Sequence, residues 1–273
     1  ALAKERLPYR WFSREEAIRL VPLLEGGDFE RGLYCKSDAM VDIMSLLQGF
    51  YQDLKRRGVS VYLGHTLKKI EKKKGGFSVS AGDNVWIAKQ VVNAAGAWAG
   101  AVARKANASR VPLRAYRRHL FISRPFRAMN QAWPFVWDLS HNFYFRPQDG
   151  SLLLSACDKE EVKDVEKAVR KEKINPLIEK VLRKKLMKFS RNFSPLSIQS
   201  AKSGLRTMSS DGRFVIGEDP KLKGFFWVAG LGGHGVTTSF SVGDLASDLI
   251  LGKRRDKFLM DALSPKRFFR KRK

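Results

Sequence analysis

The sequence predicts an α+β fold that carries an α/β layer, and three observations predict it. Apolar residues recur at helical spacing up to Gly58 and then switch to alternation. Two apolar strands, KQVVN and FFWVA, each run straight into a turn of small residues and then a helix. The long stretch between them alternates, or runs apolar between Pro, Asp and Gly, as an antiparallel sheet does.

Composition bounds the function classes. With 273 residues and 44% hydrophobic content, the chain can bury one large core or two modest ones. No run approaches the roughly 18 uninterrupted apolar residues of a membrane-spanning helix, and the opening ALAKERLPYRWFSREE has no apolar stretch of the signal-peptide kind. Cys35 and Cys157 stand far apart, which predicts reduced structural thiols and a cytoplasmic home. His65, His119, His141 and His234 never fall at metal-ligand spacing, so no metal is expected. The chain has 52 basic and 27 acidic residues, a net charge of +25, enough to attract nucleic acid or anionic membrane. Its cationic runs, among them Lys72 to Lys74, Arg117-Arg118 and the tail Lys266 to Lys273, are scattered. A general basic surface with non-specific attraction to polyanions is the expectation.

Taken in order, Ser13 and Glu16 form the S-x-x-E capping box of a first helix, whose Ala17, Leu20, Val21 and Leu24 share a face until Gly26-Gly27. A second helix is expected from Asp38 to Arg57-Gly58, with Met40, Ile43, Met44, Leu47, Phe50, Tyr51 and Leu54 as its core-facing stripe. VSVYL, TLKKIE, GFSVSAG and NVWIA then read as short strands, followed by the strand KQVVNAAG and the helix AWAGAVARKA. After Ser109, the segments VPLRAYRRHLFIS, QAWPFVWDL, HNFYFRPQDG and SLLLSAC read as sheet strands. The charged stretch from Glu160 to Phe189 predicts helix broken at Asn175-Pro176, and LSIQSAKSGLRTM resumes the sheet. The last third reads as strand, loop, apolar strand, Gly-rich turn and long amphipathic helix.

Gly230, Gly232 and Gly235 satisfy G-x-G-x-x-G between a strand and a helix. An ordinary dinucleotide unit also needs an acidic residue about 20 positions on, to hold a ribose, and that window here is Gly252-Lys253-Arg254-Arg255. What remains is a helix start opened by glycines, which presents unpaired N–H groups and suits an anion. A turn that needs glycine only for close packing is the other reading.

Two segments together, VVNAAGAWAG and SGLRTMSSDGRFVIGEDP with GFFWVAGLGGHGVTTSFSVGDLASDLILG, resemble the FAD-dependent D-amino-acid oxidase, glycine oxidase and sarcosine oxidase family, as does the closing LSPKRF. The resemblance implies that the α/β layer is a cofactor layer. Ala95, Gly96 and Trp98 would lie against the FAD, Leu67 near its adenine, and Gly232, Gly233, His234, Gly235 and Val236 at the pyrimidine end of the flavin. It also implies Arg206 of the GLR segment as the holder of a substrate carboxylate, a task that favours guanidinium, with Tyr144 and Arg146 on the substrate side. The implied reaction moves a hydride from the amine-bearing carbon of a small amino acid or secondary amine to flavin N5. This chemistry asks for binding and orientation rather than a catalytic side chain, and no such constellation is evident.

Members of the family open with a strand, a Gly-rich turn and a helix that seat the FAD pyrophosphate, and this sequence has no match to them. A separate chain supplying that unit, a lost N-terminal part and a degenerate remnant are the readings it leaves. The alternative to an enzyme is a non-catalytic binding subunit whose basic surface meets a polyanion or partner. The expected division is interleaved: residues 36–106 and 204–263 form a cofactor domain, residues 1–35 and 107–203 a mixed-sheet substrate domain, and residues 264–273 a basic tail.

Overall fold

The computed structural model describes residues 8–125, 129–170, 174–253 and 255–269; Arg254 and the end of the basic tail lie outside them. The chain begins with β1 (Tyr9–Ser13), α1 (Arg14–Leu20), β2 (Arg31–Cys35) and α2 (Ile43–Arg56). Then come β3 (Leu67–Lys73), β4 (Gly76–Ala81), β5 (Asn84–Ala88), β6 (Val91–Asn93) and α3 (Ala99–Lys105). The middle holds β7 (Leu113–Ser123), β8 (Val136–Asp138), β9 (Phe143–Gln148), β10 (Ser151–Ser155), β11 (Glu160–Val162), α4 (Val165–Arg170) and α5 (Pro176–Phe189). The last third holds β12 (Ile198–Ser209), β13 (Val215–Glu218), β14 (Phe225–Ala229), α6 (Ser239–Ile250) and α7 (Lys257–Leu263). The fold is thus α+β, with a parallel strand pair in its α/β layer.

Two compact units divide the chain, and each is interleaved in sequence. The first takes Ala1–Met40, Arg117–Glu160 and Glu166–Gly204, and the second takes Val41–Tyr116, Glu161–Val165 and Leu205–Lys273.

In the first unit, β8, β9, β10 and β7 are neighbours in an antiparallel order. Alternation along β9 sends Phe143 and Phe145 into the core and leaves Tyr144 and Arg146 on the other face. Phe121, Leu152 and Leu154 join that core, closed by Leu182, Leu186 and Phe189 of α5. Asn175 caps α5 and Pro176 takes its first position, as the Asn-Pro break predicts. His119 is fully buried; its Nδ1 pairs with Asp158 at 2.8 Å and its Nε2 accepts the Asn175 N–H, which ties β7 to the start of α5. The capping box forms as expected, but α1 ends at Leu20 because Val21 precedes Pro22 and is pushed to φ −133°.

In the second unit, β3, β4 and β5 form an antiparallel meander, and β14 lies between β13 and β6. Ala99 and Ala103 of α3 pack with Phe77, Phe225 and Trp227. The buried carboxylate of Asp219 accepts from the Ser109 N–H and hydroxyl, Trp227 Nε1 and the Lys221 and Leu222 N–H groups, which locks the entry to β14. Residues 265–268 form a single 3-10 turn rather than a free tail, held by Arg267, whose guanidinium grips Asp211 at 2.7 and 2.9 Å.

Three sequence expectations change. The second helix starts at Ile43, because Asp42 rather than Asp38 caps it, and its apolar stripe is not in a core: no residue of α2 is buried. VSVYL forms no strand: Val59 to Tyr62 have no regular structure and Leu63 begins a turn. Glu160–Val162 is strand rather than helix because it joins the edge of β7.

Candidate functional site

The parallel pair sets the site. Val91 lies opposite Phe225 and Asn93 opposite Trp227, so β6 and β14 run side by side in the same direction. Because they do, the turn after Asn93 and the turn after Ala229 leave the sheet at the same end. Carboxyl ends of parallel strands are where α/β layers receive ligands.

The first turn is stitched by Asn93, whose buried Nδ2 donates to the Ala99 carbonyl at 2.9 Å while its Oδ1 receives the Ala95 N–H at 3.4 Å. Gly96 takes φ 52°, a left-handed conformation that a side chain strains, and the space in front of its α-carbon is open to 4 Å. Ala95 leads into the single 3-10 turn Gly96–Trp98, and Trp98 stays exposed on it.

The second turn lies antiparallel against the end of β12. Leu231 bridges to Met208, and the Gly232 N–H donates to the Thr207 carbonyl at 2.9 Å. That register brings Gly233 opposite Arg206, where a β-carbon would stand 2.7 Å from Nη1 and 3.0 Å from Cζ of the guanidinium. Gly230 and Gly232 adopt φ of 70° and 56°, whereas at Gly233 a side chain would displace the Arg206 guanidinium. The GLGGHG segment therefore serves two ends, a tight turn and a bed for Arg206.

Beyond it, the His234 carbonyl receives the Thr238 N–H and both the Thr237 and Thr238 hydroxyls, at 2.7 to 3.1 Å. His234 thus shapes the loop through its backbone; its ring is exposed and makes no hydrogen bond among the described residues. The N–H groups of Gly233, Gly235, Val236 and Thr237 also have no partner among the described residues. Regular helix begins only at Ser239, a turn later than the sequence suggests, because Gly235 to Thr238 form a separate turn on that carbonyl.

Leu67 opens β3 opposite Ala81; its carbonyl accepts Lys105 Nζ at 2.8 Å and its side chain packs on the core of the second unit. In the first unit, Tyr144 is flanked by Phe135 and Trp137, with ring centroids 5.1 and 6.2 Å away. Arg146 lies along its own strand, Nη1 donating to the Pro147 carbonyl and Nη2 to Gln148 Oε1. Sequence reasoning missed Asn93, Phe135 and Trp137 as neighbours of these positions. The Asn preceding two alanines and a glycine was the available signal for the first, and an aromatic at every second position for the others. Among the described residues, no cluster of His, Cys, Asp and Glu could hold a metal ion, and no helix is long and apolar enough to cross a membrane.

Comparison with known proteins gives the family. Residues 1–249 match the family model described as FAD dependent oxidoreductase. The chain is 23% identical over 250 residues to the mitochondrial pyruvate dehydrogenase phosphatase regulatory subunit of Mus musculus, covering 89% of this chain and 28% of that one. It thus spans little more than a quarter of the length of that curated relative. Its fold is similar to glycine oxidase from Geobacillus kaustophilus, with a TM-score of 0.79 at 19% identity over 96% of this chain and 68% of that one. L-proline dehydrogenase from P. horikoshii is similar as well, with a TM-score of 0.83 at 20% identity over 98% of this chain and 70% of that one. The chain belongs to the FAD-dependent oxidoreductase family, whose cofactor is FAD.

Proposed function

We propose that this chain forms the greater part of an oxidoreductase that takes electrons from a small amino acid or secondary amine into FAD. The observation that carries the reading is the convergence of two turns at one end of the β6 and β14 pair, with Arg206 bedded on Gly233. The residues fit the cofactor: Ala95, Gly96 and Trp98 offer a small, open surface, and the loop of Gly232, Gly233, His234, Gly235 and Val236 offers, at Gly233, Gly235 and Val236, amides without partners among the described residues. Such amides stabilise an anion, as the pyrimidine end of a reduced flavin requires. Bound FAD supplies the hydride acceptor. Leu67 is assigned to the adenine end by resemblance. Arg206 would pair with a substrate carboxylate in bidentate fashion, and Tyr144 with Arg146 would line the substrate side. A partner chain is part of this reading, as is a reducing compartment such as the cytoplasm, since neither Cys35 nor Cys157 is in a disulfide among the described residues.

The test is Arg206→Ala in the flavin-loaded protein. Loss of a charge-assisted pair worth about 2–3 kcal/mol predicts a fall of roughly 100-fold in kcat/KM for an amino acid, with little change for an amine that lacks a carboxylate. An equal effect on both contradicts the assignment. The second reading, a non-catalytic binding subunit, is favoured by the likeness to a protein named as a regulatory subunit and by the +25 charge. Flavin that binds but is reduced anaerobically by no amine or amino acid would select it.

A further inference from the structure

The meander of β3, β4 and β5 has two edges, and they are built differently. β3 carries Lys68, Lys69, Lys72 and Lys73, and a bulge breaks its register between Leu67 and Lys69. Lysines and bulges are the devices by which sheets keep a foreign strand from pairing with an open edge. β5 has neither: it reads Asn84-Val85-Trp86-Ile87-Ala88, its register with β4 is unbroken, and no strand pairs with its outer side among the described residues. Val85 is 65% exposed and Ile87 78% exposed.

The hairpin fixes which backbone groups face outward. Gly82 and Asp83 form a two-residue loop between the paired Ala81 and Asn84, with Gly82 at φ 54°, so Ala81 and Asn84 exchange both their hydrogen bonds. By alternation Trp86 and Ala88 also turn their N–H and C=O groups to β4, while Val85 and Ile87 turn theirs to the open edge. The Ala88 carbonyl agrees with this, for it lies so close to Gly76 of β4 that a β-carbon there would collide with it.

We propose that β5 is a self-pairing edge: two copies of this chain join antiparallel through it, about a two-fold axis at Trp86, and so merge two meanders into one continuous sheet. The segment is complementary to itself in that register. Val85 of one copy stands opposite Ile87 of the other, where their outward N–H and C=O groups bond and their exposed side chains cover one another. Asp83 at one end meets Lys89 of the second copy at the other end, and both are exposed. The ion pair that Asp83 makes within its own copy, to Lys68 at 3.3 Å, joins two exposed side chains and holds it weakly. On the axis itself the two Trp86 residues form a pair without hydrogen bonds, the arrangement that brings side chains closest, next to Tyr62, whose ring lies 5.1 Å from that indole. Moving the axis to Val85 would set Ile87 against Asp83, and moving it to Ile87 would set Val85 against Lys89, so each alternative buries an apolar side chain beside a charge. A patch that matches itself is what a two-fold interface requires, and such an interface closes at the dimer. The pairing goes beyond the functional reading, since it involves no residue assigned to flavin or substrate.

Sedimentation velocity of the purified protein over a micromolar range, at about 0.15 M salt to screen the net charge, tests it. The native protein should form a dimer that dissociates on dilution. Ile87→Lys, at a site too exposed to disturb the fold, should weaken dimerisation by roughly tenfold or more. D83K and K89D each set like charges opposite one another and should weaken it by roughly threefold or more, whereas the double variant restores opposite charges and should recover native dimerisation. Phe258→Glu, which replaces an apolar residue 83% exposed on α7, should change nothing. A monomer throughout, a dimer indifferent to Ile87→Lys, a double variant no better than the single ones, or assembly that grows past the dimer would each overturn the proposal. Because the readout is mass, its failure leaves the Arg206 kinetics untouched, and failure of those kinetics leaves the edge pairing standing.

Discussion

Asp219 is the residue on which the local order of the second unit most depends. It is buried and gathers five donors from Ser109, Trp227, Lys221 and Leu222, so Asp219→Ala strands them all and should cost about 3 kcal/mol, read from urea unfolding. Asp211 makes a pH-dependent contribution: the bidentate Arg267 guanidinium holds its carboxyl well below the ordinary range. A depressed carboxyl stabilises the fold above the unfolded pKa of about 3.9 and loses that stabilisation as pH falls towards the folded value. The stability gap between the native chain and Asp211→Asn should therefore be widest near neutrality and close in acid; a gap that widens in acid would refute it. Neither carboxylate stood out in the sequence, because each is defined by donors from distant segments. Gly233 teaches the same lesson. The spacing of Gly230, Gly232 and Gly235 was legible as a motif, while the glycine that actually meets Arg206 lies outside that spacing and emerges only from the register with β12.

Among the elements, local signals were read well where they are chemical. The Ser13 capping box, the Asn175-Pro176 start of α5 and the alternation of β9 all appear as written. Alternation and amphipathicity say which face seeks cover but not what covers it, and α2 is where that gap shows. In this chain Leu47→Ala should change stability by no more than about 0.5 kcal/mol, whereas Leu186→Ala in α5 should cost about 2–5 kcal/mol, both by urea unfolding. A large cost at Leu47 would mean that the helix face is already buried. VSVYL was misread as a paired strand for a related reason: β propensity identifies a strand but cannot provide its neighbour.

At the scale of the whole molecule, the NAAG and GLGGHG turns were each legible, because both junctions carry the same strand, small-residue turn and helix order. The turnover points Met40 and Tyr116 were not, since no composition change marks them. The central claim is that the two turns at the end of the β6 and β14 pair hold a flavin. The most direct measurement is the visible absorption spectrum of the purified protein after incubation with FAD and removal of the excess. The account predicts stoichiometric flavin, abolished by Gly96→Val and Gly232→Val although both variants remain folded by circular dichroism. Flavin retained at full occupancy in both variants, or a native protein that binds no flavin, would contradict it.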